Sequence, residues 1–185
     1  MIKVLATNII SPLGETTEQN YQAVKSGSSA LSVYDGWRNI PQVFTASLLS
    51  DEQYKRLLID GYTHFESIVI RSVSAALNDS DIDVVSARTI LILSTTKANV
   101  DELAAEEDSD GNYHSPGRSA RRIADYFGFT TEPVVVCNAC ISGVTAQLLA
   151  MRLIDSGEYD NAVVCGGDCQ SPFVVAGFMS FKSLS

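Results

Sequence analysis

Positive charge and long apolar runs are both scarce in this sequence. Only 13 lysines and arginines stand against 22 aspartates and glutamates, for a formal net charge of −9. No broad positive field is therefore available to hold nucleic acid or an anionic membrane. The one basic cluster, Arg118, Arg121 and Arg122, is too small to reverse that sign. No stretch reaches the roughly 20 apolar residues of a membrane-spanning helix. The opening run from Met1 is broken by Asn8 and Pro12 and has no small-residue cleavage site after it, unlike a secretory signal. The expectation is a cytoplasmic protein without nucleic-acid or membrane partners. Polar low-complexity tracts are missing as well, which excludes an intrinsically disordered chain. The four cysteines, Cys137, Cys140, Cys165 and Cys169, crowd into one third of the sequence. Without an export signal they are expected to be reduced thiols and not a disulfide framework.

What is present is enough apolar material for one sizeable core: 45% of 185 residues are hydrophobic, so residues 1–185 are expected to form one domain. Ile2 to Ala6 reads as a strand leaving into the turn Ser11-Pro12-Leu13-Gly14, after which Thr16 or Thr17 caps a helix that stops at Ser26-Gly27. Residues 28–49 are irregular, with one short strand near Val43. Asp51 to Leu58 reads as a short helix. Phe65, Ile68, Val69, Ser72, Val73, Ala76 and Leu77 recur at helical spacing and predict a longer helix with its stripe on the core. Thr89 to Ser94, TILILS, has no alternation and predicts a strand covered on both faces. Asp101 to Glu107 begins as an acidic helix, and Ser119 to Phe127 is a second helix ending at Gly128. Val134 to Cys137 and Ala162 to Cys165 predict two more covered strands. Gly143 to Ile154 is apolar almost all round, the mark of a buried helix. Alternating strands and helices make this an α/β layered fold, with a mixed, mostly parallel sheet and helices on both faces.

The chemistry-bearing segment is Cys137-Asn138-Ala139-Cys140-Ile141-Ser142-Gly143, where a strand gives way to a helix. A thiol at a helix start faces unpaired backbone N–H groups and the positive end of the macrodipole, which favour the reactive thiolate. Small neighbours leave room for an acyl chain, and the Cys140 N–H is a candidate oxyanion donor. The same local pattern is equally that of a free cysteine packed as a small hydrophobe.

Asn138-Ala139-Cys140-Ile141-Ser142-Gly143 resembles the nucleophile motif of the β-ketoacyl-acyl-carrier-protein synthases, usually Thr-Ala-Cys followed by a small residue, Ser and Gly. Four further segments resemble that family in order and spacing. They are Ile10 to Gly14, Ser26 to Ser29, the strand Val163 to Asp168 ending in Gly166-Gly167, and Gly177 to Ser185. The resemblance implies the N-terminal half of a thiolase-like fold, with Cys140 as the catalytic residue and no cofactor or metal. It also implies the reaction. Cys140 takes an acyl group from a carrier-protein thioester, malonyl-carrier protein loses carbon dioxide, and its carbanion attacks the acyl-enzyme, in fatty-acid or polyketide synthesis. The implied partners are an acyl carrier protein and a second synthase chain, in a homodimer or heterodimer. The family draws two further groups, usually histidines, from a C-terminal half that would begin near Ser185. The expectation is therefore that 1–185 is inactive without that half, or is an accessory, carrier-binding subunit. His64 and His114 precede Cys140, match no catalytic position and read as surface or packing residues.

Other readings are weaker. Cys137 and Cys140 form a C-x-x-C, the setting of a redox dithiol, although no aromatic precedes Cys137 and an apolar helix follows. Cys137, Cys140, Cys165 and Cys169 have the count of a zinc site, although two belong to expected strands. Asp108-Ser109-Asp110-Gly111-Asn112 looks superficially like a calcium loop, but its glycine comes two positions early and Ser119 stands where glutamate is needed. Lys55 and Arg56, and equally Arg118, Arg121 and Arg122, are candidate carrier-docking charges or merely a solvated face.

Overall fold

Thr16 starts the first element: its side chain accepts the Gln19 N–H and caps α1 (Thr17–Lys25), which ends at Gly27 in the left-handed region, φ 77°. A computed structural model of the chain describes residues 1–102 and 114–184. After α1 come two short antiparallel strands, β1 (Ser32–Tyr34) and β2 (Phe44–Ala46). Tyr34, Trp37 and Phe44 hold them together, with ring centroids 5.5–6.4 Å apart. Only one of these strands was legible in the irregular sequence.

Capping boxes at Ser50 and Thr63 start α2 (Asp51–Leu57) and α3 (His64–Asn78), each N-cap hydroxyl accepting an N–H while the side chain three residues on returns a bond. Next come β3 (Thr89–Ser94), a 3-10 turn (Val100–Glu102), α4 (Pro116–Phe127) and β4 (Val134–Val136). A second 3-10 turn (Ala139–Ile141), α5 (Ser142–Asp155), β5 (Asn161–Gly166) and α6 (Pro172–Ser180) complete the order. The expected acidic helix from Asp101 is only the end of a 3-10 turn in the described part. The rest of it, and the calcium-like stretch at 108–112, lie outside the described residues.

Three strands form a parallel sheet in the order β4-β3-β5, with Ile92 opposite Val134 on one side and Val164 on the other. β3 is buried along its whole length, as its unalternating sequence predicts. Leu91 and Leu93 pack with Phe65, Val69, Ile70 and Val73 of α3 and with Ala120, Ile123 and Ala124 of α4. Ile90 and Ile92 face the other way, onto Ala146 and Ala150 of α5. The result is an α/β/α stack with α3 and α4 on one face and α5 on the other. All its strands run parallel, so the expected mixed character is confined to the separate β1–β2 ribbon.

Two expectations need correction. Ile2 to Ala6 pairs with no described strand, and Val4 and Leu5 stand 81% and 58% exposed. Apolar composition proposes a strand, but a ladder partner is what makes one. α5 is not buried all round either. Ser142, Ala146 and Ala150 are buried and Leu149 and Leu153 half-buried against the sheet, while Ile141, Val144, Leu148 and Met151 line the opposite side in the open. Those four recur at helical spacing, so they form a continuous apolar stripe and not scattered surface residues.

Candidate functional site

Cys140 sits in the 3-10 turn between β4 and α5, with its residue exposed. The turn is bent where the chain must reverse direction, and Ala139 takes φ 45°, a left-handed conformation unfavourable for a residue with a Cβ. What holds it there is Ser142. The Asn138 N–H donates to Ser142 Oγ at 2.8 Å, and that hydroxyl donates to the Ala139 carbonyl at 2.8 Å. Thr145 Oγ1 donates to the Ile141 carbonyl at 2.9 Å and accepts from Asn138 Nδ2 at 3.3 Å. Polar side chains from the first turn of α5 thus bind back onto the loop that carries the thiol. No side chain caps α5 at its N-cap, Ile141, so its positive end points into the space around Cys140. A Cβ built at Gly143 would meet nothing within 4 Å, which leaves this approach open.

The other cysteines are in different surroundings. Cys137 is exposed at the end of β4. Cys165 lies in β5 with its thiol donating to the Ile92 carbonyl at 3.7 Å, and burial pushes its pKa up to about 12. Cys169 is buried, and burial raises its thiol far above the usual range, with Asp101 and Asp168 adding to it. Burial likewise raises the phenol of its neighbour Tyr54. The four sulfurs do not gather. Among the described residues the metal-ligating side chains that do come together are His64, Asp101 and Glu102.

The candidate docking arginines are engaged within the chain. Arg56 Nε donates to Glu15 at 2.8 Å, and Arg121 meets Glu132 at 2.6 Å. Arg122 Nε donates to the buried Glu66 at 3.0 Å while its guanidinium lies over Tyr62 at 4.8 Å. His114 places Nδ1 3.1 Å from the Asn99 carbonyl, and His64, at the first position of α3, packs edge-on against Tyr54. Two shallow clefts, one beside Gly14 and Arg56 and the other beside Tyr62 and Arg122, are not lined by Cys140. Sequence reasoning missed α6, whose Ser171 cap and Pro172 start were a readable signal, and the exposure of one whole side of α5.

The family model described as beta-ketoacyl synthase, N-terminal domain, matches residues 62–185. Among solved structures, the ishigamide ketosynthase/chain length factor superposes with a TM-score of 0.77 at 20% identity, over 96% of this chain and 50% of that one. A beta-ketoacyl synthase from Burkholderia phymatum STM815 gives 0.76 at 17% identity, over 96% and 49%. A ketosynthase in complex with its chain length factor from Xenorhabdus doucetiae gives 0.67 at 20% identity, over 97% and 51%. This chain therefore spans about half the length of the solved structures it matches. No curated protein matches it significantly by sequence. At these identities the structural likeness is one of fold, the thiolase-like α/β arrangement.

Proposed function

The chain belongs to the β-ketoacyl synthase N-terminal domain family, and from that premise we propose that Cys140 is its acyl-accepting nucleophile in fatty-acid or polyketide synthesis. The observation that carries this reading is the exposed Cys140 thiol on a strained turn, at the uncapped start of α5. In acylation the sulfur attacks the carbonyl of a carrier-protein thioester, and the tetrahedral oxyanion falls where the Cys140 N–H is a suitable donor. Collapse of that intermediate expels the carrier thiol, which leaves with the proton. Condensation follows when a malonyl-carrier protein loses carbon dioxide and its carbanion attacks the acyl carbonyl. Cys140 departs as thiolate and the β-ketoacyl thioester remains on the carrier.

Residues 1–185 act in this reading as one N-terminal domain, and the groups that activate malonyl come from outside it. The stripe Ile141, Val144, Leu148 and Met151 is the face on which a second synthase segment or chain would seat, in a homodimer or heterodimer. Two of the similar structures carry a chain length factor in their descriptions, which favours a synthase chain as that partner. The same open face favours a second reading, an accessory subunit that binds a carrier or synthase without itself being acylated.

Incubating the purified protein with an acyl-carrier thioester, alone and with a synthase partner, separates the two. Intact-mass and peptide mapping should find the acyl group on Cys140 and none in Cys140→Ser. No added mass under either condition leaves the accessory role.

A further inference from the structure

Away from Cys140, the start of α3 meets the 3-10 turn that follows β3. His64 Nδ1 stands 3.8 Å from Asp101 Oδ2 and 3.8 Å from Glu102 Oε1, and one ligand atom from each residue lies within 4.8 Å of the others. The Asp101 side chain is only 6% exposed, and its Oδ1 is buried with no hydrogen-bond partner among the described residues. A buried carboxylate oxygen without a donor is expensive to keep and uncommon in folded proteins.

We propose that His64, Asp101 and Glu102 form a binding site for a divalent transition-metal ion of the zinc class, which staples the start of α3 to the segment leaving β3. A metal bound at about 2.0–2.2 Å to each ligand holds its donors about 3–3.5 Å apart, so side-chain rotation has to draw both carboxylates in toward His64 Nδ1 and toward each other before all three can ligate. One imidazole nitrogen with two carboxylate oxygens suits zinc and its neighbours, whereas calcium and magnesium favour oxygen alone. His64 is 42% and Glu102 22% exposed on their side chains, so an ion can enter from solvent.

Positive charge already stands nearby: Arg118 and Arg122 line the same cleft as Glu102. The α3 terminus contributes roughly half a positive charge, and Glu102 Oε1 already accepts the His64 N–H at 3.3 Å. Arg38 also faces Asp101, yet it is half-exposed and lies 3.9 Å from Asp51. The two carboxylates together match a divalent ion in charge.

Cobalt(II) titrated into the full-length protein tests this, because its spectrum reports ligand type. One equivalent should bind with weak visible d–d bands and without a thiolate charge-transfer band. Zinc should displace it and raise the melting temperature. His64→Ala alters a half-exposed residue and should fold; it and Asp101→Asn should weaken binding by roughly tenfold or more, or about 1.4 kcal/mol. Cys140→Ser should leave binding unchanged. A thiolate charge-transfer band, unaltered affinity in folded His64→Ala, or no saturable binding up to millimolar metal would each overturn the proposal.

Discussion

Ser142 Oγ accepts the Asn138 N–H at 2.8 Å, and through this bond the first residue of α5 fixes the turn that presents Cys140. Ser142 is itself 6% exposed, so the bond is shielded from competing water. Ser142→Ala leaves the Asn138 N–H and the Ala139 carbonyl without this partner, at a cost of about 1–3 kcal/mol. Relaxation of Ala139 out of its left-handed conformation should then slow Cys140 acylation more than it lowers stability. Comparing acylation rates with urea midpoints for Ser142→Ala and Ser142→Thr checks this. Equal rates in wild type and Ser142→Ala would remove the turn from the account.

The thiols should react in order of their exposure. Cys137 and Cys140 are exposed and should take a maleimide in the native state, the half-buried Cys165 should react more slowly, and the buried Cys169 should require denaturant. Cys165 holds its proton to about 12 when folded, while an unfolded thiol ionises at about 8.5. Below that lower value both states are protonated, and this group makes stability independent of pH. Between the two, the unfolded chain binds fewer protons, so stability falls by about 1.4 kcal/mol per pH unit. Urea midpoints from pH 8 to 10.5 should show a shallower slope in Cys165→Ala, and identical slopes would refute the burial argument.

Glu66 is 1% exposed and accepts from Arg122 Nε at 3.0 Å and Ser119 Oγ at 3.1 Å. Arg122→Met retains an apolar stem beside Tyr62 but strands the carboxylate. Breaking such a pair from one side costs about 3–5 kcal/mol when fully buried. Arg122 is 36% exposed on its side chain, so about 2 kcal/mol is the expected loss. Adding Glu66→Gln to Arg122→Met should restore part of it, and chemical denaturation of the single and double variants measures the difference.

On the open side of α5, Leu148→Lys should leave monomer stability within about 0.5 kcal/mol while abolishing association with a synthase partner. Sedimentation velocity reads the assembly, and unaltered association would place the interface elsewhere.

The sequence disclosed elements whose cause is local or periodic. Phe65, Val69 and Val73 at helical spacing marked α3, the unbroken apolar run marked β3, and Gly128 at φ 77° marked the end of α4. It misled where the cause lies in a partner. Ile2 to Ala6 has a strand's composition but no described ladder, and the apolar sequence of α5 implies enclosure although Val144, Leu148 and Met151 face outward. The location of Cys140 at a strand-to-helix junction was legible from small residues and the break in pattern. The meeting of His64 with Asp101 and Glu102 was not, because no periodicity links residues so far apart in the chain, 38 in the case of Glu102.

The two-faced burial of β3 has a consequence for biogenesis. TILILS is a six-residue ribbon with no charge and no proline, the composition that assembles into cross-β stacks when left uncovered. It emerges from the ribosome before β4, α5 and β5 exist to flank and cover it. Arg88, immediately ahead, is the gatekeeper charge of the nascent segment. In the folded chain that same guanidinium is redeployed, gripping Asp160 at 2.7 Å at the start of the last sheet strand to arrive.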